Sequence, residues 1–255
     1  MSEAVEPIAL PRTNAPTMRT STPVTRVVLV LAKAPVAGRV KTRLTPAATP
    51  AGAAGIAAAA LLDTLDAARA VRDARVVVAL EGDLAAAECR AELAEALAGT
   101  VVVPQRGDTL GRRITAAHVD VAARFPAAVT VQIGMDTPQV DGALLTAALD
   151  LVGTDADAAL GLALDGGWWA LALADPRRAR HIADVPTSRA DTGVGTLAAL
   201  RAGHRGLAPD RVLEVPPLSD VDTPGDAVAV ADLVPSGRFA RAVADLLPLP
   251  GVLPR

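Results

Sequence analysis

The sequence predicts an α/β protein: a three-layer α/β/α arrangement around a mostly parallel, mixed sheet. Three observations predict this class. Short apolar runs rich in valine alternate with longer alanine-rich segments along most of the 255 residues. A chain in which strands alternate with helices favours right-handed βαβ crossovers, which cover both faces of a parallel sheet. With 51% apolar residues, the chain can also bury one sizeable core.

The first half of the chain alternates regularly between strands and helices. The apolar run VVLVLA at 27–32 predicts a strand buried on both faces, and Thr49 and Pro50 predict the start of a helix that ends near Val71. Further strands are predicted at 74–80, 101–104 and 129–136, and further helices at 83–98, 110–124 and 141–152. This order of elements is Rossmann-like.

The regular alternation of strands and helices ends in the second half of the chain. The segments AALGLAL at 158–164 and WWALALA at 168–174 leave too few residues between them for a crossover helix, so they predict a hairpin or switchback. A helix at 191–202, the segment RVLEVPP at 211–217 and one or two closing helices complete a single domain over 24–247. We expect residues 1–23 to be a disordered leader and 248–255 to be a loose tail.

Composition narrows the classes of function. The 25 basic and 28 acidic residues give a net charge of -3, so we expect no basic field that would bind a nucleic-acid backbone. Cys89 is the single cysteine of the sequence, which excludes an internal disulfide and favours a cytoplasmic protein. No apolar run approaches the roughly 18–20 residues of a membrane helix, and we expect a soluble protein without a membrane span.

A basic loop follows the first predicted strand, in the segment AKAPVAGRVKTRL at 32–44. It gathers Lys33, Arg39, Lys41 and Arg43 around Gly38, and it contains both lysines of the sequence. Cations and backbone N–H groups near a glycine suit a polyphosphate, although a solvated basic loop is the alternative. The loop is not a Walker A motif, because valine stands where that motif requires glycine. We expect Lys41 to be a solvated loop residue that contacts phosphate.

Asp136 follows the fourth predicted strand, in IGMDTPQ. Ligands of an open parallel sheet bind beyond the carboxyl ends of its strands. A carboxylate at that edge would repel a bound phosphate unless a divalent cation bridged the two, which predicts a Mg²⁺ or Mn²⁺ site. The alternative is that Asp136 only forms a turn.

A second acidic segment, SDVDTPGD at 219–226, contains two candidate metal ligands. Thr223 and Asp226 are explained as a capping box. Asp220 and Asp222 are not explained by capping, and in an extended backbone their spacing turns both carboxylates to one side. If the hairpin returns RVLEVPP beside the parallel strands, these aspartates can join Asp136 around one or two cations.

The segment DGGWW at 165–169 contains both tryptophans of the sequence. Gly166 and Gly167 would let the backbone approach a substrate closely, and an indole face can carry a sugar or a base. Adjacent strand residues face opposite ways, so one indole belongs to the core and the other, with Trp168 as the candidate, lines the site. Asp165 is the candidate general base for an acceptor hydroxyl.

Other polar residues are weaker candidates. We expect surface or helix-end positions for the three histidines, which are His118, His181 and His204. Three residues after the third strand could border a base or simply form turns, namely Gln105, Gly107 and Gly111.

With these motifs in order, the sequence resembles a family of glycosyltransferase-A-like proteins, described as a domain of unknown function, with some members labelled arsenosugar-biosynthesis glycosyltransferases. The resemblance runs from about Val27 to Leu233, through AKAPVAGRVKTRL, GMDTPQ, ALDGGWWALAL and DVDTPGD. More distantly, the layout is similar to that of molybdenum-cofactor and 2-phospholactate guanylyltransferases. The resemblance implies a GT-A-like, nucleotide-diphospho-sugar transferase fold, with the first loop on the phosphates and Asp136 at the metal.

Three functions remain open from the sequence. The first is a metal-dependent glycosyltransferase-like enzyme that uses a nucleotide sugar and a small-molecule acceptor. The second is a nucleotidyltransferase that uses a nucleoside triphosphate. It is the alternative to the first, and one observation supports it: Asp136 is followed by Thr137 and Pro138, whereas glycosyltransferases of this fold commonly carry Asp-x-Asp there. The third is a non-catalytic nucleotide-binding module.

Overall fold

The computed structural model describes residues 25–203 and 211–247. The strands are β1 (Arg26–Lys33), β2 (Ala74–Glu81), β3 (Val101–Pro104), β4 (Val129–Ile133), β5 (Ala158–Ala163), β6 (Trp168–Leu173) and β7 (Val212–Leu218). The helices are α1 (Pro50–Ala70), α2 (Arg90–Leu97), α3 (Leu110–Arg124), α4 (Gly142–Thr154), α5 (Thr192–Ala202), α6 (Pro224–Leu233) and α7 (Arg238–Leu246). The predicted leader at 1–23, the predicted tail at 248–255 and His204 lie outside the described residues.

The seven strands form one sheet in the order β3-β2-β1-β4-β6-β5-β7. Within the described chain, β6 pairs antiparallel with β4 and β5, whereas all other neighbours are parallel. The predicted α/β class, the mostly parallel mixed sheet and the hairpin are therefore confirmed. The chain builds outward from β1 to β3 in one direction and then crosses to β4 on the other side of β1. The junction of β1 and β4 is thus a topological switch point, where open sheets bind ligands.

Helices cover both faces of the sheet, which makes three layers. Val28 and Val30 of β1 face the core formed with α1, α2 and α4, whereas Val27 and Leu29 face the core formed with α3 and α5. This alternation explains why β1 is a continuous apolar run in the sequence. Helices α6 and α7 pack on the outer side of α1, where Phe239 is fully buried.

Two elements are shorter than their sequence patterns predict. The helix predicted at 83–98 is a 3-10 turn at Leu84–Ala86 followed by α2, which begins at Arg90. Cys89 has φ 51, and this left-handed residue interrupts the helix. The strand predicted at 129–136 ends at Ile133, because the chain leaves the sheet before it reaches Asp136.

Helix α1 is long and apolar enough, by length and composition, to cross a membrane, although the sequence led us to expect no such segment. In the structure, 78% of its most apolar 18-residue window is buried inside the protein. Its alanine-rich surface packs on the sheet on one side and on α6 and α7 on the other. The small side chains allow this close packing on both sides.

His118 contradicts the expected surface or helix-end position. It lies within α3 and is fully buried, and neither of its ring nitrogens has a hydrogen-bond partner among the described residues. The position follows from helical periodicity, since Ile114 and Val121 share its buried face. Burial lowers the pKa of His118 to about 3. His181 does lie near the end of the 3-10 helix Pro176–Ile182, as expected.

Candidate functional site

The predicted basic loop leaves the carboxyl end of β1 at the switch point. Gly38 has φ +73 in a turn that is closed by a hydrogen bond from the Arg39 N–H to the Val36 carbonyl, at 3.0 Å. A side chain at Gly38 would meet open space, so the backbone conformation and not crowding favours glycine there. The loop then ends in a 3-10 turn at Thr42–Leu44.

A cleft of about 280 Å³ lies beneath this loop. The cleft brings together the four predicted phosphate-binding cations and two of the three predicted metal ligands. It is lined by Lys33, Arg39, Val40, Lys41, Thr42, Arg43, Ala57, Met135, Asp136 and Asp222. Residues that follow β1, β4 and β7 therefore meet at one edge of the sheet.

Lys41 lies at the centre of the charged contacts in this cleft. Its ammonium nitrogen is 2.8 Å from Oδ1 of Asp136 and 3.8 Å from Oδ1 of Asp222. It also donates a hydrogen bond to the carbonyl of Val221. The side chain is only 9% exposed, so the expectation of a solvated lysine is wrong. Sequence alone could not show that two carboxylates from distant loops would enclose it.

Two loops hold Asp136 and Asp222 close together. The Val221 N–H donates to the Asp136 carbonyl at 3.0 Å, and the Gln139 amide donates to the Ser219 carbonyl. Strand β7 pairs parallel with β5, which confirms that RVLEVPP returns beside the parallel strands. The carboxyl end of β7 consequently delivers Asp222 to the same edge of the sheet as Asp136.

Arg43 and Asp222 form the outer part of this charge cluster. Arg43 donates to Oδ2 of Asp222 at 2.7 Å, and its side chain is 72% exposed. Arg39 is exposed, and it forms no ion pair with any residue in the described ranges. Of the four loop cations, Arg39 is therefore the one best able to meet an incoming anion without first breaking an ion pair.

Asp165 and Asp220 extend the acidic side of the site. Burial raises the pKa of Asp220 to about 6, and the negative charges of Asp165 and Asp222 add to this rise. Both causes disfavour the charged form of Asp220. Oδ1 of Asp165 accepts a hydrogen bond from the Gly167 N–H at 2.8 Å, although the Asp165 side chain remains exposed.

The β5–β6 turn is held close to the segment that begins α5. Gly166 has φ +92, and a Cβ there would lie 2.0 Å from the carbonyl oxygen of Ala190, so only glycine fits. Trp169 is buried and donates its indole N–H to the Pro216 carbonyl at 3.0 Å. Trp168 is half-buried and packs on the opposite core. The two indoles thus face opposite sides of the sheet, as predicted.

Four predicted site residues do not line the 280 Å³ cleft, namely Asp165, Gly166, Gly167 and Trp168. Asp220 does not line it either, although it interacts electrostatically with Asp165, Asp222 and Lys41. Their roles toward a substrate or a metal stay predictions.

Glu81, the last residue of β2, was not predicted from the sequence. Its carboxylate accepts from Arg113 at 2.6 Å and lies 4.0 Å from the ammonium of Lys33. Its position at a strand end was a signal that could have found it. Gln105 takes a structural role, because its side-chain amide donates to the carbonyls of Ala32 and Ala79 at 2.8 and 2.9 Å and so joins the ends of β1 and β2.

The oxygen atoms around Lys41 also suit a hard divalent cation. Carboxylates and backbone carbonyls are the ligands that Mg²⁺ takes, and Asp136, Asp222 and the Val221 carbonyl already surround one cationic nitrogen. Within residues 25–203 and 211–247, no group of three or more His, Cys, Asp or Glu side chains could hold a metal ion. A metal here would therefore take its remaining ligands from water or substrate oxygens.

Comparisons with known proteins agree with this fold. A family described as "Uncharacterized protein conserved in bacteria" (DUF2064) matches residues 64–189. The matched region contains Asp136 and Asp165 but neither the basic loop nor Asp222. No curated protein matches the sequence.

Solved structures similar to this chain include two that cover most of it. One is a provisionally assigned nucleotide-diphospho-sugar transferase from Desulfovibrio desulfuricans G20, with 26% identity, a TM-score of 0.70, and coverage of 86% of this chain and 93% of that one. The other is a cytidylyltransferase from Leptospira borgpetersenii serovar Hardjo-bovis, with 12% identity, a TM-score of 0.52, and coverage of 90% and 100%. The second likeness concerns the fold alone.

A larger groove of about 860 Å³ lies between α1, α2 and α7. No strand residue lines this groove, and its charged lining mixes both signs, with Arg69 and Arg241 beside Glu92, Glu95 and Asp245. It does not open at the carboxyl edge of the sheet. The smaller cleft at the switch point is therefore the candidate functional site.

Proposed function

We propose that this chain is a cytoplasmic, metal-dependent transferase that binds a nucleotide sugar and transfers its sugar to a small-molecule acceptor. The observation that carries the proposal is the cleft at the β1–β4 switch point, where four cations and two carboxylates meet. A diphosphate needs cations for its charge, and paired carboxylates facing the same space suit a bridging divalent ion. The similarity to the nucleotide-diphospho-sugar transferase of D. desulfuricans supports the same substrate class.

The basic loop would bind the diphosphate. Lys33 and Arg39 lie on the cleft with partly or largely exposed side chains, so they can orient phosphate oxygens. Asp136 and Asp222 would hold Mg²⁺ or Mn²⁺, with Asp220 next to them. The metal would neutralise charge that develops on the leaving nucleoside diphosphate.

The acceptor would enter from the side of the β5–β6 turn. Asp165 is exposed there and is the candidate base that takes the proton of the attacking hydroxyl. Trp168 and the glycine pair Gly166 and Gly167 would border the acceptor or the sugar. The proton would leave the hydroxyl as the new glycosidic bond forms and as the bond to the diphosphate breaks.

Nucleotidyl transfer is the second candidate. It is supported by the carboxylates beside Lys41, because Asp136 and Asp222 come from different loops and not from one Asp-x-Asp motif. In that reaction, the same cations would hold a nucleoside triphosphate while a phosphorylated acceptor attacks its α-phosphorus.

Product analysis separates these reactions. The protein is incubated with Mn²⁺, a panel of nucleotide sugars or nucleoside triphosphates, and a panel of sugar and phosphorylated acceptors. Release of nucleoside diphosphate from a nucleotide sugar supports glycosyl transfer, whereas pyrophosphate from a triphosphate supports nucleotidyl transfer. Binding without either product, across the full acceptor panel, would indicate a non-catalytic nucleotide-binding module. Asp136→Asn is the matched control, because it keeps the side-chain size and removes the charge.

A further inference from the structure

The ammonium of Lys41 lies among oxygen atoms of the kind that bind a divalent cation. It is shared by Asp136 and Asp222 and donates to the Val221 carbonyl. Its side chain is 9% exposed, while the carboxylates of Asp136 and Asp222 are 44% and 40% exposed. The lysine is thus the more enclosed partner, and solvent reaches the carboxylates from their outer side.

A metal ion and this ammonium cannot share the same oxygen atoms. Two cations within about 4 Å of each other repel strongly when they are partly shielded from water. The oxygen atoms that contact Lys41 are also the ligands that Mg²⁺ prefers. Binding of a divalent ion between Asp136 and Asp222 must therefore move the lysine head group.

We propose that Lys41 is a built-in counter-ion that a divalent metal displaces, and that the displaced ammonium then becomes available to substrate phosphate. The inference rests on the proposed function in that it assumes a metal at Asp136 and Asp222. Lys41 lines the same cleft as Lys33 and Arg39, so a short rotation of its flexible side chain keeps it next to a bound diphosphate.

This arrangement links the two binding events. Without metal, Lys41 is engaged by the carboxylates and contributes little to phosphate binding. With metal, the carboxylates are neutralised and the lysine is released. Linkage then requires each ligand to raise the affinity for the other. Metal binding would prepare the site for the nucleotide.

The sequence allows a direct test in the unmodified protein, because Lys33 and Lys41 are its only lysines. Protein labelled with ¹⁵N at the lysine side chains gives two ammonium signals by NMR. Titration with Mg²⁺, without nucleotide, should shift the Lys41 signal or broaden it beyond detection as its hydrogen bonds break. The Lys33 signal, from a side chain next to Glu81, serves as the internal reference. An unchanged Lys41 signal at 20 mM Mg²⁺ would overturn the proposal.

Variants give a second and independent readout. Calorimetry with Mn²⁺ alone should show that Lys41→Gln binds the metal at least about tenfold more tightly than the parent, because the competing charge is gone. Lys33→Gln is the matched control and should change the affinity less than about twofold. Adding Asp136→Asn to Lys41→Gln should remove the gain. Equal or weaker Mn²⁺ binding by Lys41→Gln would contradict the displacement.

Failure of this inference differs from failure of the proposed function. Both measurements use the metal without nucleotide, so they report on displacement of Lys41 even if no nucleotide binds. Conversely, the protein could turn over nucleotide while Mg²⁺ leaves the Lys41 signal unchanged. That result would support the transferase function and refute the displacement of Lys41.

Discussion

At the scale of single residues, Lys41 is both a structural and a candidate functional group. Its ammonium lies 2.8 Å from the Asp136 carboxylate and 3.8 Å from the Asp222 carboxylate. We expect Lys41→Ala to lower the free energy of unfolding by roughly 1.5–3 kcal/mol, the range for hydrogen bonds to charged groups. Urea denaturation at pH 7 measures this loss. A variant as stable as the parent would mean that the ion pairs contribute nothing net.

Arg39 provides the contrasting case, because it is exposed and forms no ion pair with a described residue. Arg39→Ala should weaken nucleoside diphosphate binding by about 10- to 100-fold, which corresponds to roughly 1.5–3 kcal/mol. The free energy of unfolding should stay within about 0.5 kcal/mol of the parent. Arg124→Ala, an exposed arginine at the end of α3, is the matched control. Equal affinity of the Arg39 variant and its control by calorimetry would refute a phosphate contact at Arg39.

His118 makes the stability depend on pH. Its pKa is about 3 in the folded protein against an ordinary value of 6.5, so between these values the unfolded chain binds more protons. The contribution of His118 to stability is therefore largest above pH 6.5 and falls as the pH drops toward 3. From pH 7 to pH 5, the contribution is about 2 kcal/mol. His118→Leu should reduce the difference in unfolding free energy between these two pH values by that amount. An unchanged pH dependence would show that His118 accepts a proton without unfolding.

At the scale of elements, the capping box of α6 adjoins the site, because the Asp226 carboxylate also accepts a hydrogen bond from the Asp222 N–H at 3.2 Å. The Thr223 hydroxyl accepts from the Asp226 N–H at 3.3 Å, and the Asp226 carboxylate accepts from the Thr223 N–H at 2.7 Å. Thr223→Ala should cost roughly 0.5–2 kcal/mol of stability and should change Mn²⁺ affinity less than twofold. Thr223→Ser keeps the hydroxyl and should restore the stability in thermal or urea unfolding. A large loss of metal affinity in Thr223→Ala would place Thr223 in the cation site.

The element boundaries show what local sequence can predict. The predicted cap located the start of α1, where Thr49 accepts a hydrogen bond from the helix backbone. The bounds predicted for α3 also agree with the structure. The prediction of a continuous helix at 83–98 was wrong in its first part, because nothing in the composition of this segment indicates that Cys89 adopts a left-handed conformation. The predicted position of His118 was wrong for a different reason. Its residue type suggested the surface, whereas the apolar period of α3 placed it in the core.

At the scale of the whole molecule, topology explains why distant motifs meet. Parallel pairing brings the carboxyl ends of β1, β4 and β7 to one edge of the sheet, although Asp222 lies far along the chain from Lys41. The rule that ligands bind beyond the carboxyl ends of parallel strands predicted which residues reach that edge. It could not predict which of them pair, because the ion pairs of Lys41 depend on side-chain directions and on the Val221–Asp136 backbone hydrogen bond.

The proposed function requires Asp136 and Asp222 to form one cation site. The direct measurement is calorimetric titration of Mn²⁺ into the parent, Asp136→Asn, Asp222→Asn and the double variant. If both carboxylates hold the same metal, each single change removes most of the affinity and the double change adds little, so the effects are strongly non-additive. Independent and additive losses of affinity in the two single variants would contradict a shared site.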